Sequence, residues 1–127
     1  MQKNIIKTSN APAPIGPYSQ AVKTGSLLFI SGQIAIEPST GNILTENIET
    51  ETRQVMKNLE AILTEAGLSF DNIVKTTIFL SDMNLFAKVN EIYGSFFSGT
   101  SFPARETVAV KGLPKNVNVE ISVIASM

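Results

Sequence analysis

Apolar residues along this chain keep two rhythms, and the change from one to the other marks out its elements. Leu27 to Ile36 is apolar at both parities except at Ser31-Gly32-Gln33, which predicts a strand. The glycine inside it marks a bulge or the close approach of another group. Glu37 to Asn42 reads as a turn. Val55, Leu59, Ile62, Leu63 and Ala66 then recur at helical spacing, with Asn47 as N-cap, Glu49 and Glu51 in the first turns and Gly67 as the stop. Ile73 to Leu80, with two threonines, is a second β-type run. A second helix is predicted from Asn84 to Phe97, with Phe86, Val89, Tyr93, Phe96 and Phe97 as its stripe and Asn90 on the face of Phe86. Arg105 to Val110 and Val117 to Ala125 read as strands on either side of a Pro114-containing turn at Lys111 to Asn116.

With a strand-like Ala21-Val22 ahead of Leu27, the order β-β, helix, β, helix, β-β predicts one α+β domain over residues 1–127, a mixed sheet with both helices on one face. Its other face must be solvated or covered by another chain. Tyr18, Phe29 and Phe79 favour covering, as does a charged fraction of only 17%, against about a quarter in ordinary domains. Ahead of the first long strand, Pro12, Pro14 and Pro17 with Gly16 exclude helix and predict an extended arm ending in Tyr18.

Composition narrows the chemistry more than it narrows the fold. The chain has no His, Cys or Trp, so thiol and imidazole nucleophiles, a histidine base and soft metal ligands are all excluded. Carboxylates, arginine, hydroxyls, lysine, backbone amides and water remain. No metal site is expected, because Glu46, Glu49 and Glu51 do not converge on one helix face and read as helix-start electrostatics. Ten basic and eleven acidic residues are well mixed, so neither a basic footprint for nucleic acid nor an acidic tail is present. No run approaches the ~20 apolar residues of a membrane span, and Met1 to Asn10 is not a signal peptide. With no disulfides possible, a cytoplasmic protein is the expectation.

Strand parity then singles out one pair. Arg105 and Thr107 alternate with Val108 and Val110; Glu120 alternates with Val119 and Ile121. If Val108, Val110, Val119 and Ile121 form the apolar layer and the last two strands pair as a hairpin, Arg105, Thr107 and Glu120 share the opposite face. A one-residue slip would break that register. Such a pair is either a surface salt bridge or a small anion site, in which the arginine fork grips a carboxylate and the glutamate handles a water. Parity alone does not decide between them.

Gly16-Pro17-Tyr18-Ser19-Gln20-Ala21, Ser31-Gly32-Gln33-Ile34, Thr52-Arg53-Gln54-Val55, Val74-Lys75-Thr76-Thr77, Phe102-Pro103-Ala104-Arg105, Leu113-Pro114-Lys115 and Val119-Glu120-Ile121 recur in one family. Over nearly its whole length the chain resembles the Rid family, and within it the RidA (YjgF-type) reactive-intermediate deaminases. The resemblance implies a chorismate-mutase-like fold, a homotrimer with a central barrel-like core and clefts between subunits. It also implies cofactor-independent hydrolysis of 2-imino acids such as 2-iminobutanoate and 2-iminopropanoate, and of their enamines, to 2-oxo acids and ammonia. The imines would come from pyridoxal-phosphate dehydratases. Carried over, Arg105 clamps the substrate carboxylate and Glu120 orients or activates water. Tyr18 reaches in from the arm, Ser31 and Gly32 line the pocket, and Phe86 and Asn90 form a wall. Thr107 occupies a position that is often cysteine in relatives; its backbone can bond substrate, but a thiol role is excluded.

The competing reading is a non-catalytic trimer that binds a 2-oxo acid or similar carboxylate as a metabolic sensor or regulator. Having Glu120 beside Arg105 favours catalysis, since binding needs only the arginine. A third reading, action on RNA, runs against the balanced charge. Tyr93, Phe96 and Phe97 are expected to be core, and Lys75 and Lys115 to be solvated.

Overall fold

A computed structural model describes residues 2–127. Its elements are β1 (Asn4–Ile6), β2 (Ala21–Thr24), β3 (Leu27–Gln33), α1 (Ile48–Glu65), β4 (Ile73–Leu80), α2 (Phe86–Gly94), β5 (Ala104–Ala109) and β6 (Val119–Ser126). They form one six-stranded sheet in the order β1-β2-β3-β6-β4-β5. β4 and β5 pair in parallel, joined through α2, and every other pairing is antiparallel. β1 is an element that the hydrophobic pattern did not predict. Its three residues are mostly exposed and present no alternation.

Local chemistry sets the helix ends. Asn47 Oδ1 accepts the Thr50 amide at 2.8 Å, and Gly67 adopts φ 76° as the Leu68 amide turns back to the Leu63 carbonyl. Asp82 caps a 3₁₀ turn at Met83–Leu85 that leads into α2. α2 stops at Gly94, earlier than its aromatic stripe predicts. Phe96 and Phe97 lie beyond the helix and pack their rings 5.6 and 5.5 Å from Phe70. Two aromatics that only resemble a continuation of the helical stripe therefore join Phe70 in closing one end of the core.

Both helices cover the same face. On that face β6 contributes Val119, Ile121, Val123 and Ala125, and α1 contributes Val55, Leu59, Ile62 and Leu63, all buried. Burial of each large aliphatic side chain here contributes about 1.5–3 kcal/mol. The opposite face is open: Leu27 and Phe29 on β3 and Val108 on β5 are more than a third exposed.

The predicted hairpin between the last two strands does not form. β4 lies between them, paired with β5 on one side and β6 on the other. The crossover through α2 delivers β5 to the edge of the sheet beside β4. The Lys111 to Asn116 segment then carries the chain past β4, with Lys115 and Asn116 at φ 58° and 56°. The register settles the faces. Arg105 lies opposite Thr76 and Glu120 lies opposite Phe79. Thr76 and Phe79 are three residues apart, so they point to opposite sides. Arg105 and Thr107 therefore face the helices, while Glu120 faces the open side. Val108, expected in the apolar layer with Val119 and Ile121, sits instead on the open face, 45% exposed.

Candidate active site in two halves

The first half is built around Glu120. β3 and β6 fall out of register between Ile30 and Gln33, so Ser31 and Gly32 form a bulge against β6. The Glu120 carboxyl lies over this bulge. A Cβ at Gly32 would come within 2.9 Å of Glu120 Cδ, so any side chain there would displace the carboxyl. The arm is pinned alongside. Ser31 Oγ donates to the Ser19 carbonyl at 2.6 Å, and the Ser31 amide donates to the Gln20 carbonyl at 2.9 Å. Gln20, buried, accepts the Thr8 amide through Oε1. Its Nε2 donates to the carbonyls of Thr8, Ala11 and Pro12. The result is a cleft of about 360 Å³ in which Tyr18, Ser31, Gly32 and Glu120 meet apolar walls from Ile15, Ile34 and Pro114. The Tyr18 hydroxyl accepts the Ile15 amide at 3.3 Å, and the ring is half exposed.

Glu120 is half-buried, and among the described residues it makes no ion pair and no side-chain hydrogen bond. Desolvation pushes its pKa up from the ordinary carboxylate value. A carboxyl raised in this way is a better base once ionised and is closer to exchanging its proton at neutral pH.

The second half lies on the helix face at the sheet edge. Arg105 Nη1 donates to Asn90 Oδ1 at 2.7 Å. The guanidinium carbon sits 5.2 Å from the Tyr93 ring centre and 5.6 Å from that of Phe86. These contacts orient the cation without neutralising it, because amides and aromatic faces carry no net charge. Arg105, Asn90 and Tyr93 border a cavity of about 440 Å³ with Phe102 and Pro103. Tyr93 donates its phenolic proton to Thr76 Oγ1 at 2.9 Å. Burial pushes the Tyr93 pKa up, so it remains the neutral donor; the Thr76 bond and the Arg105 charge oppose that shift. Thr107 follows Arg105 on the same face, with its Oγ1 buried and without a hydrogen-bond partner among the described residues.

Phe86, Asn90, Arg105 and Thr107 are thus gathered in one half, and Tyr18, Ser31, Gly32 and Glu120 in the other. The halves are separated by two strand spacings, about 10 Å, and by the thickness of the sheet.

A family profile described as Endoribonuclease L-PSP matches residues 8–127. A RutC family protein of Pyrococcus horikoshii is 54% identical over 123 residues, 97% of each chain. The 2-iminobutanoate/2-iminopropanoate deaminase of Mus musculus is 48% identical over 123 residues, 97% of this chain and 90% of that one. A crystal structure of a Rid-family protein of unknown function from Yersinia pestis superposes with a TM-score of 0.96 at 52% identity, covering 99% of this chain and all of that one.

The chain belongs to the Rid family. The structure also shows what the pattern of residues left out. Tyr93 reads as plain core, yet its ring faces Arg105; its lone hydroxyl on an otherwise apolar stripe is the available signal. Gln20 gives no sequence signal for its four contacts to the arm. Glu51, read as helix-start electrostatics, is fully buried. Its position in phase with Val55, Asn58 and Ile62 could have shown that it turns inward. Glu49 does behave as read, pairing with Lys88 at 3.4 Å on the surface. A backbone hydrogen bond, together with Lys88, holds its carboxyl below the ordinary value.

Proposed function

We propose that this Rid-family protein hydrolyses 2-imino acids and their enamine tautomers to 2-oxo acids and ammonia. The observation that carries the reading is Glu120: a half-buried, unpaired carboxyl with raised pKa, in a cleft where Gly32 clears the space beside it. An imine is already electrophilic, so the catalyst needs to position water and relay protons. Water adds to the imine carbon as Glu120 accepts one of its protons and passes it to nitrogen, giving a carbinolamine. Glu120 then takes the carbinolamine's hydroxyl proton and delivers it to nitrogen as the carbon–nitrogen bond breaks, leaving the 2-oxo acid and ammonia. Arg105, oriented but not neutralised, binds the substrate carboxylate through its remaining N–H groups. The similarity to a mouse deaminase supports the same substrate class. No cofactor enters this scheme.

One chain does not bring Arg105 to Glu120, and the proposal includes how they meet. Three copies pack with their open sheet faces inward, covering Leu27, Phe29 and Val108. The Arg105 half of one copy then faces the Glu120 half of the next, which suits a cyclic arrangement. Tyr18 and Ser31 line the cleft on the Glu120 side, Phe86 and Asn90 line it on the Arg105 side, and Thr107 offers its backbone. The imines come from pyridoxal-phosphate dehydratases acting on serine or threonine.

The test couples purified protein to threonine dehydratase and traps residual imine with semicarbazide. Reduced trapping is expected, and undiminished trapping would favour a carboxylate-binding sensor instead. Mixed assemblies test the geometry. Inactive Arg105→Ala and Glu120→Gln proteins, unfolded together and reassembled, should regain a fraction of wild-type turnover. No recovery in well-formed mixed trimers would place both residues in one chain's site.

A further inference from the structure

The proposed mechanism leaves one charged group inside the fold without a task. Glu51 lies in the first turn of α1, with its side chain fully buried. One carboxylate oxygen, Oε2, accepts the backbone amides of Asn118 at 2.7 Å and Val119 at 3.1 Å. The other, Oε1, accepts Asn118 Nδ2 at 2.8 Å. Burying a carboxylate is costly unless its lone pairs are satisfied, and here all three donors come from the two residues just before Glu120. The start of α1 adds the favourable end of its dipole. Ladder pairing explains why the donors are free. β3 last pairs with β6 at Gln33 opposite Ile121, so residues 118 and 119 have no β3 partner. The chain reaches them through a turn with two residues at positive φ, which gives no regular support. From Asn118 the network continues: its carbonyl accepts the Ser81 amide at 3.0 Å, and its Oδ1 accepts Ser81 Oγ at 3.2 Å.

We propose that Glu51 is a positioning residue, a buried clamp that fixes the entry to β6 and so holds the Glu120 carboxyl over Gly32. This rests on the reading of Glu120 as the water-handling group. Glu51 touches no substrate. It acts through two backbone amides, and its effect belongs to turnover rather than to binding, which Arg105 governs from the other half.

Two conservative variants separate a clamp from mere packing. Glu51→Gln keeps the length and can place its carbonyl oxygen where Oε2 takes both amides, giving up only the bond from Asn118 Nδ2, because its amide nitrogen is itself a donor. Glu51→Asp keeps the charge but withdraws the carboxylate by one methylene. On the imine-trapping assay, Glu51→Gln should stay within about threefold of wild-type kcat. Glu51→Asp should lose about ten- to a hundredfold in kcat with KM within about twofold, the scale of a catalytic group misplaced by an ångström. Asn118→Ala removes one of the three donors without deepening burial and should lose about threefold, so the clamp remains testable if the aspartate variant folds poorly. Unchanged kcat in a folded Glu51→Asp protein would overturn the proposal, and so would an equal loss in Glu51→Gln and Glu51→Asp. A second readout needs no activity. In a carbon-13 NMR titration, the Glu120 carboxyl should keep its raised pKa in Glu51→Gln and move toward the ordinary value in Glu51→Asp. An identical Glu120 titration in all three proteins would also overturn the clamp. If wild-type protein shows no imine hydrolysis, the functional reading falls, and the titration alone still decides the clamp.

Discussion

The two halves of the site treat charge in opposite ways. Arg105 is surrounded by groups that suit a cation: the Asn90 carbonyl oxygen and the faces of Tyr93 and Phe86. Glu120 has no compensating partner among the described residues, and desolvation dominates its titration. The first arrangement preserves a permanent charge and aims it, as a carboxylate clamp requires. The second leaves a carboxyl poised to change protonation, as proton transfer requires. In the proposed scheme, binding and chemistry are therefore built by different means: side-chain contacts from α2 in one half, a strand bulge and a pinned arm in the other.

The largest expected effect falls on the chemical half. Glu120→Gln should lower kcat by about 10²–10⁴-fold while 2-oxo acid affinity changes little. Isothermal titration alongside the coupled assay would show the split, and unchanged turnover would remove Glu120 from the mechanism. The same variant tests the protonation argument. A carboxyl with a raised pKa lets the folded chain hold more protons than the unfolded chain between the ordinary and the raised values. The stability contributed by this site therefore falls as pH rises through that window. Denaturation of Glu120→Gln across the window should lack that decline.

Next in size is Arg105→Ala. Loss of a buried charge partner is worth about 2–5 kcal/mol, so kcat/KM should fall about 30-fold or more, with 2-oxo acid binding lost in parallel. Wild-type affinity in this variant would dissolve the division between the halves. Gly32→Ala should be smaller and specific to the Glu120 half. A Cβ there forces the carboxyl aside, so kcat should drop about tenfold while carboxylate binding through Arg105 survives. The least effect is expected for Tyr93→Phe, which keeps the ring against Arg105 and removes only the bond to Thr76. Stability should fall by about 1–2 kcal/mol in urea denaturation, with activity within about threefold. A large loss of activity would mean that the phenol does more than orient.

Much of the fold was legible because it depends on short-range patterns. Asn47, Gly67 and the spacing of Val55, Leu59 and Ile62 placed α1 to within a residue of its ends, and Ile73 to Leu80 read correctly as a strand. The glycine in Ser31-Gly32 marked a bulge that is also the floor of the Glu120 cleft. Illegible parts were those fixed by partners distant in the chain. β5 and β6 are neighbours in sequence, and parity offered a hairpin; a parallel crossover put β4 between them instead. Tyr93 and Glu51 lie on helical stripes that look structural, and their meaning depends on Arg105 and on Asn118 and Val119 arriving from elsewhere.

The sequence by itself bounded the chemistry available: with no His or Cys, carboxylates, arginine, hydroxyls, lysine, backbone amides and water remain. It also determined the elements, since capping and periodicity act within a few residues. Only the tertiary structure decided which face each functional side chain occupies. A strand's two faces differ by one position of register, and register is set by pairing across the whole sheet. Arg105 and Glu120 consequently share a motif-bearing stretch of sequence yet point to opposite sides of the molecule.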